Sequence, residues 1–228
     1  GDMVKISFDG DGKMSISPTS SGGKITGTAD GNLYTIGSAS IAANVSILDT
    51  YMGNYAAVSM ERLDGVYLDS SNVLYYEASG GKVTTLVLND VTGDTAKYGV
   101  VTSAKSADSG AYTYLTDGVT ATLSGASSNV HAGPAKFYGE SGKINQAKNL
   151  TATGSRTKSF SASQAVIDDD IGTYPISSTV GVYSYSSGVY KPSTLSAALS
   201  AYQTNKSVTF YYDKEPEKGG CIRIIVHN

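Results

Sequence analysis

The alternation of apolar and polar residues near the end of the chain predicts a β-hairpin. Residues 208–213 (VTFYYD) place apolar side chains at every second position, and successive side chains of a strand point to opposite faces. A polar link with two consecutive glycines follows, and residues 221–228 form a second, largely apolar run. Two β-rich runs separated by a glycine-containing link are typical of an antiparallel hairpin.

The same pattern occurs once before, so the chain is interpreted as a tandem repeat. Residues 73–76 (VLYY) precede a Gly-Gly pair, and residues 82–89 (KVTTLVLN) form the second run. An earlier hairpin is also duplicated: residues 3–8 and 13–17, turning at 9–12, match residues 135–138 and 143–144. Gly in the first turn supplies the backbone conformation of a tight reversal.

Each copy also contains strand candidates followed by a short helical signal. Residues 33–36 and 41–48 are matched with residues 157–160 and 166–171. In the second copy Ser193 is the expected N-cap of a helix that buries Leu195 and Leu199 on one face.

In the first copy the helical signal amounts to a single turn. Ser59 is expected to cap this turn, which carries Met60 and Leu63, and Gly65 is expected to end it. Leu63 is the residue that this turn is predicted to bury.

Residues 98–102 and 112–123, with a turn at Asp117 and Gly118, have no counterpart in the first copy. We therefore expect the chain to begin part-way through a repeat. The predicted fold class is all-β, with one short helix per repeat and two tandem modules resembling small barrels or sandwiches, of which the first is incomplete. The predicted domains are residues 1–92 and 93–228, joined by a polar link at residues 91–95.

Composition narrows the possible functions. The chain has 228 residues, 16% of them charged, and a formal net charge of −3, and no basic patch indicates binding to nucleic acid. No apolar segment approaches the roughly 20 residues that span a bilayer. The sequence indicates no cofactor.

The residues of nucleophilic catalysis are scarce. The only imidazoles are His131, in a polar loop, and His227, which corresponds to a leucine of the first copy. The single cysteine, Cys221, corresponds to Lys82 and is expected to face water. We therefore predict no catalytic residues and no enzymatic activity.

Two further kinds of site have candidate residues. Asp168 and Asp170 would share one face of an extended segment and could offer oxygen ligands to Ca²⁺, but the full EF-hand pattern is absent and a solvated acidic turn is the favoured interpretation. Tyr183, Tyr185 and Tyr190 could stack on sugars, although tyrosine also suits a half-buried strand.

Several short motifs resemble the repeated β-modules of S-layer-homology surface proteins from Gram-positive, clostridia-like bacteria. They are residues 98–102 (YGVVT), 114–118 (YLTDG), 143–145 (KIN), the serine-capped turn, and the closing run within residues 75–90. The resemblance implies an extracellular, cell-wall location and a structural or adhesive role. It also implies that the partners are other surface-protein modules or cell-wall glycans. The alternative function is a carbohydrate-binding module that uses exposed tyrosines.

Overall fold

A computed structural model describes residues 4–18, 24–103, 112–116, 119–123, 130–139, 146–153, 157–167 and 172–228. The chain divides into two compact units, Gly1–Val91 and Thr92–Asn228. The described residues are mostly in β-strands, which confirms the predicted all-β class.

The first unit contains short strands around two longer ones. Its strands are β1 (Val4–Phe8), β2 (Met14–Pro18), β3 (Gly27–Asp30), β4 (Thr35–Ile36), β5 (Ala39–Tyr51), β6 (Asn54–Val58), β7 (Tyr67–Leu68), β8 (Val73–Ser79) and β9 (Lys82–Asn89). A 3₁₀ helix covers Glu61–Leu63. β1 and β2 form a two-stranded sheet, and the other strands form a sheet in the order β7-β3-β4-β5-β9-β8, with β6 also on β5.

The core of the first unit lies on this larger sheet. Its fully buried side chains include Ile36, Leu63, Leu68, Leu86 and Leu88. The burial of Leu63 confirms the prediction for the helical turn. Ser59 Oγ accepts a hydrogen bond from the backbone N–H of Arg62 at 3.2 Å, as expected of a cap.

The second unit has more strands and one α-helix in its described residues. Its strands are β10 (Lys97–Ser103), β11 (Tyr112–Thr116), β12 (Val119–Leu123), β13 (Gly133–Tyr138), β14 (Gln146–Asn149), β15 (Thr151–Ala152), β16 (Thr157–Phe160), β17 (Gln164–Ile167), β18 (Gly172–Ser186), β19 (Val189–Pro192), β20 (Val208–Tyr212) and β21 (Ile222–His227). Helix α1 spans Leu195–Gln203, and a 3₁₀ helix covers Pro216–Lys218.

Two sheets pack face to face within the second unit. One has the order β12-β11-β10-β13-β14, and the other has the order β15-β20-β21-β18-β17-β16, with β19 also on β18. Val100 and Leu115 of the first sheet pack against Tyr183, Ile224 and Val226 of the second. This apolar layer makes the unit a sandwich, since each sheet covers a face of the other.

The duplication is visible in the strand pairing, where a long strand runs parallel to the last strand of each unit. In β5 and β9, Ile41 pairs with Val83 and Ser46 with Thr85. In β18 and β21, Ile176 pairs with Ile222 and Gly181 with Ile224. Between these paired positions the long strand advances by five residues while its partner advances by two. The two units therefore share the same β-bulge.

This shared register corrects the predicted alignment. Because β5 is equivalent to β18, residues 41–48 correspond to a part of Gly172–Ser186 and not to residues 166–171. The sequence pattern shifted the match by one strand, since short strands rich in small polar residues resemble one another.

The predicted N-cap of helix α1 and the predicted burial of Leu195 and Leu199 were wrong, although Leu195 packs against the core. Thr194 is the N-cap, and its side chain accepts from the N–H of Ala197, so Ser193 lies outside the helix. The buried side chains are Ala198 and Ala201, whereas Leu195 and Leu199 are half-buried. The helix thus presents small side chains to the unit, and both leucines lie at the margin of that contact.

Candidate functional site

The most distinctive polar site in the described residues surrounds Arg223, the second residue of β21. All six residues of this strand are buried, and Arg223 itself is only 2% exposed. Its neighbours Ile222 and Ile224 are fully buried. A charged side chain in such a position is costly unless it is paired and hydrogen-bonded.

Arg223 uses all three guanidinium nitrogens. Its Nη1 donates to Asp94 Oδ1 at 2.7 Å and lies 3.4 Å from Ser177 Oγ. Its Nε donates to Asp213 Oδ1 at 3.4 Å, and its Nη2 donates to the backbone carbonyl of Thr92. The planar guanidinium therefore joins the last strand of the second unit to the first residues of that unit.

Tyr98 completes this site, which we call the Arg223 cluster (Arg223, Tyr98, Asp94, Asp213 and the backbone of Thr92 and Gly93). The guanidinium carbon lies 4.7 Å from the ring centroid of Tyr98, which is a cation–π contact. The Tyr98 hydroxyl donates to Asp213 Oδ2 at 2.7 Å and lies 2.8 Å from the carbonyl oxygen of Gly93.

The electrostatics of the cluster favour one protonation state. Burial raises the pKa of the Tyr98 phenol, Arg223 lowers it, and Asp213 raises it again, leaving it well above its ordinary value. Burial lowers the pKa of Arg223, whereas Tyr98, Asp213, Cys221 and Asp94 raise it, and together they leave it above its ordinary value. The cluster therefore holds a neutral phenol beside a charged guanidinium at neutral pH.

The cluster also changes the interpretation of the polar link predicted at residues 91–95. Thr92 and Gly93 are buried rather than solvated. Within the first unit, the buried Asp49 accepts a hydrogen bond from the N–H of Val91 at 3.0 Å. A buried side chain therefore holds this segment in each unit: Asp49 binds Val91 in the first unit, and Arg223 binds Thr92 in the second.

Sequence reasoning missed this cluster. In the sequence Asp213 is only the polar last residue of the alternating run 208–213, whereas the structure buries its side chain fully beside Arg223. The signal was present in the run Ile222-Arg-Ile224, because an arginine inside an isoleucine-rich strand requires buried acceptors.

The three tyrosines proposed for sugar contact differ in exposure. Tyr183 is only 3% exposed and donates to the carbonyl of Leu115 at 3.3 Å, so it belongs to the layer between the sheets and not to the surface. Tyr185 is 38% exposed and Tyr190 is half-buried. Their ring centroids are 4.4 Å apart at an interplanar angle of 40°. Of these three tyrosines, only Tyr185 and Tyr190 can offer an aromatic surface to a sugar.

The cysteine and the two histidines also have definite places. Cys221, directly before β21, is buried, which corrects the expectation that it faces water. His131 is exposed. His227 is buried in β21, and its Nε2 lies 2.7 Å from Ser193 Oγ. In the described part of the chain, no Asp or Glu side chain lies within hydrogen-bond distance of this ring to orient it as in a catalytic triad; Nδ1 lies 3.5 Å from the main-chain oxygen of Asn228.

The structure does not describe the two residues proposed as Ca²⁺ ligands. Asp168 and Asp170 lie outside the described residues. Within the described ranges, no group of three or more His, Cys, Asp or Glu side chains is arranged to hold a metal ion.

Comparisons add no relative from which a role could be transferred. No protein-family model, curated protein or solved structure matches the chain. Across the residues that the structure describes, no helix has both the length and the apolar character needed to cross a membrane. The function is therefore inferred from the chain's own geometry.

Proposed function

We propose that the chain is a non-enzymatic structural segment of tandem β-modules from an extracellular, S-layer-associated bacterial surface protein, and that it transmits tension along that protein. The observation that carries the proposal is the Arg223 cluster. It ties the first residues of the second unit to the last strand of the same unit. The cell-surface location is supported by the sequence resemblance described above.

The mechanical argument follows the path of the chain through the second unit. Tension applied at the two ends of this unit acts on Thr92 and on the residues after β21. Arg223 lies in β21 and binds Thr92 and Asp94, so force that enters at Thr92 reaches these bonds first. Force that enters after β21 loads the hydrogen bonds between β21 and β18, and several bonds of this parallel pair share the load.

Single-molecule force spectroscopy on the full chain, held at its two ends, tests this role. The longer of the two unfolding steps belongs to the second unit. We expect Arg223→Met to lower the unfolding force of that step and to leave the other step unchanged.

A variant matched in equilibrium stability separates mechanical from thermodynamic effects. Phe210 lies in the core of the second unit, away from the cluster, and Phe210→Leu removes apolar packing. If it lowers the unfolding force as much as Arg223→Met does at equal loss of stability, the cluster has no special mechanical role and the proposal fails.

Carbohydrate binding is a second candidate, supported by the Tyr185–Tyr190 ring pair on the surface. Aromatic rings can stack on sugar rings, and paired rings offer a larger surface than one. Tyr185→Ala is expected to weaken binding to purified cell-wall glycans in a pull-down. Tyr55→Ala is the control, because Tyr55 is 76% exposed and lies in the other unit. Equal binding by both variants and by the native chain would exclude this function.

A further inference from the structure

The hairpin of β1 and β2 has an apolar face that nothing in the described structure covers. Ile6 pairs with Ile16 and Phe8 with Met14, so that these side chains share one face with Val4. All five are exposed, from 44% for Val4 to 68% for Phe8. The opposite face is polar, with Ser7 Oγ 2.8 Å from Ser15 Oγ, and we call the first one the apolar hairpin face.

The second unit contains the equivalent hairpin, formed by β13 and β14. Lys136 follows Lys5 by 131 residues, and this offset places the Ile6–Ile16 pair on the Phe137–Ala147 pair. The same positions that are exposed in the first unit are buried in the second, where Phe137 and Ala147 are each 1% exposed.

Two strands with no counterpart in the described first unit bury that face. β10 pairs antiparallel with β13 on the side opposite β14, and β11 pairs with β10. Val101 of β10 belongs to the same buried cluster as Phe137, and the ring of Tyr114 of β11 lies 4.9 Å from the Phe137 ring. The second unit therefore shows which strands, β10 and β11, lie beside the equivalent hairpin when its apolar face is buried.

The first hairpin has the corresponding open edge. In the described residues, β1 pairs with β2 and with no other strand. An isolated two-stranded hairpin is at best marginally stable in water, and three or more strands with a covered apolar face are needed for independent stability. An unpaired edge beside exposed apolar side chains is a site for strand addition.

We propose that the free edge of β1 binds an antiparallel strand pair with the chemistry of β10 and β11, presented by another β-module. Its first strand would place a small residue opposite Val4, as Gly99 lies opposite Ala135, and a long side chain opposite Ile6, as Lys97 lies opposite Phe137. A second strand would bring an aromatic side chain over Ile6, as Tyr114 does over Phe137. This interaction follows from the comparison of the two duplicated hairpins, and it does not require the mechanical role proposed for Arg223.

A tethered variant tests the proposal without requiring a known partner. The full chain is extended by a second copy of its own residues 92–131 placed directly before Gly1, which reproduces the observed 131-residue offset. Amide hydrogen exchange of residues 4–8 is then compared with that of the unextended chain. We expect exchange to slow by about tenfold or more, because local opening would have to break an added strand.

The control carries the same extension with lysine in place of the residues equivalent to Val101 and Tyr114 in the added copy only. It keeps the length and the polar positions but loses the apolar contact, and exchange of residues 4–8 should return to its unextended rate. Unchanged exchange in the first variant, or equal slowing in both, overturns the proposal.

Sedimentation of the unextended chain provides a separate outcome. A monomer is expected under the proposal. A dimer that Ile6→Ser abolishes would assign the apolar hairpin face to a second copy of this chain, and it would also overturn the proposal.

Discussion

The guanidinium of Arg223 lies 2.7 Å from the carboxylate of Asp94, although the two residues are 129 positions apart in the sequence. The Arg223 side chain is 2% exposed, so water can compensate little of its charge. The pair and its neighbour Asp213 therefore depend on one another. Removing one member of such a group leaves the other charges buried and unpaired, which costs more than the pair itself contributes.

Arg223→Met is expected to destabilise the second unit by about 3–5 kcal/mol, because it leaves the buried Asp213 carboxylate without its guanidinium. Urea unfolding followed by circular dichroism measures this loss. Lys206→Met is the control, since Lys206 is exposed, and it should change stability by less than about 0.5 kcal/mol. Similar midpoints for both variants would contradict the assignment of Arg223 as a buried structural charge.

Gly93→Ala is expected to destabilise the second unit for two reasons. Gly93 has φ +72°, and a Cβ there would collide with the Asp213 carboxylate. Gly188 provides a matched control, because it has φ +83° but open space around the Cβ position. Gly188→Ala should cost about 1–2 kcal/mol for the backbone alone. Gly93→Ala should cost clearly more, and equal losses in thermal unfolding would show that the contact with Asp213 is unimportant.

Because the Tyr98 phenol is buried, the second unit is expected to lose stability at alkaline pH. An unfolded tyrosine loses its proton near pH 10, about its ordinary value, whereas burial raises the pKa of Tyr98 in the folded chain. Above pH 10 the folded state therefore binds more protons than the unfolded state. Its stability should fall by about 1.4 kcal/mol per pH unit from this group.

Urea titrations at a series of pH values between 9 and 11 measure that slope for the native chain and for Tyr98→Phe. The phenylalanine variant should show a shallower decline above pH 10, whatever its stability at neutral pH. Parallel curves for the two proteins would refute the idea that the Tyr98 phenol must stay neutral in the fold.

Leu63→Ala and Leu199→Ala are expected to differ. Leu63 is fully buried, so its truncation should cost the first unit about 2–5 kcal/mol. Leu199 is half-buried on helix α1, so its truncation should cost the second unit less than that. Differential scanning calorimetry of the two variants would show this order, and a larger loss for Leu199→Ala would contradict the observed helix orientation.

Local patterns in the sequence were sufficient for the strand content and for several turns. Alternating runs predicted β1, β20 and β21, and glycine predicted the turn between β1 and β2, where Gly12 has φ +77°. Leu63 could be placed in the core because its burial follows from a short capped turn. These features depend on neighbours a few residues away, and the sequence displays such neighbours directly.

The closing hairpins also revealed the duplication, but not its register. The alignment failed at β5 and β18 because side-chain alternation repeats every two residues and cannot fix which strands correspond. The shared bulge in the two parallel pairs decided the match. That bulge is a property of pairing between distant strands, so it leaves no local signal.

Tertiary structure alone decided what covers each face. Comparison of the two copies predicted that Cys221 faces water, and Tyr183 was a candidate for sugar contact, but the packing of the second unit buries both side chains. The sequence by itself determined an all-β chain with two related halves. Of the partners of Arg223, Asp94 and Thr92 come from the opposite end of the second unit, whereas Asp213 lies ten residues before it, and these groups meet only when the whole unit folds.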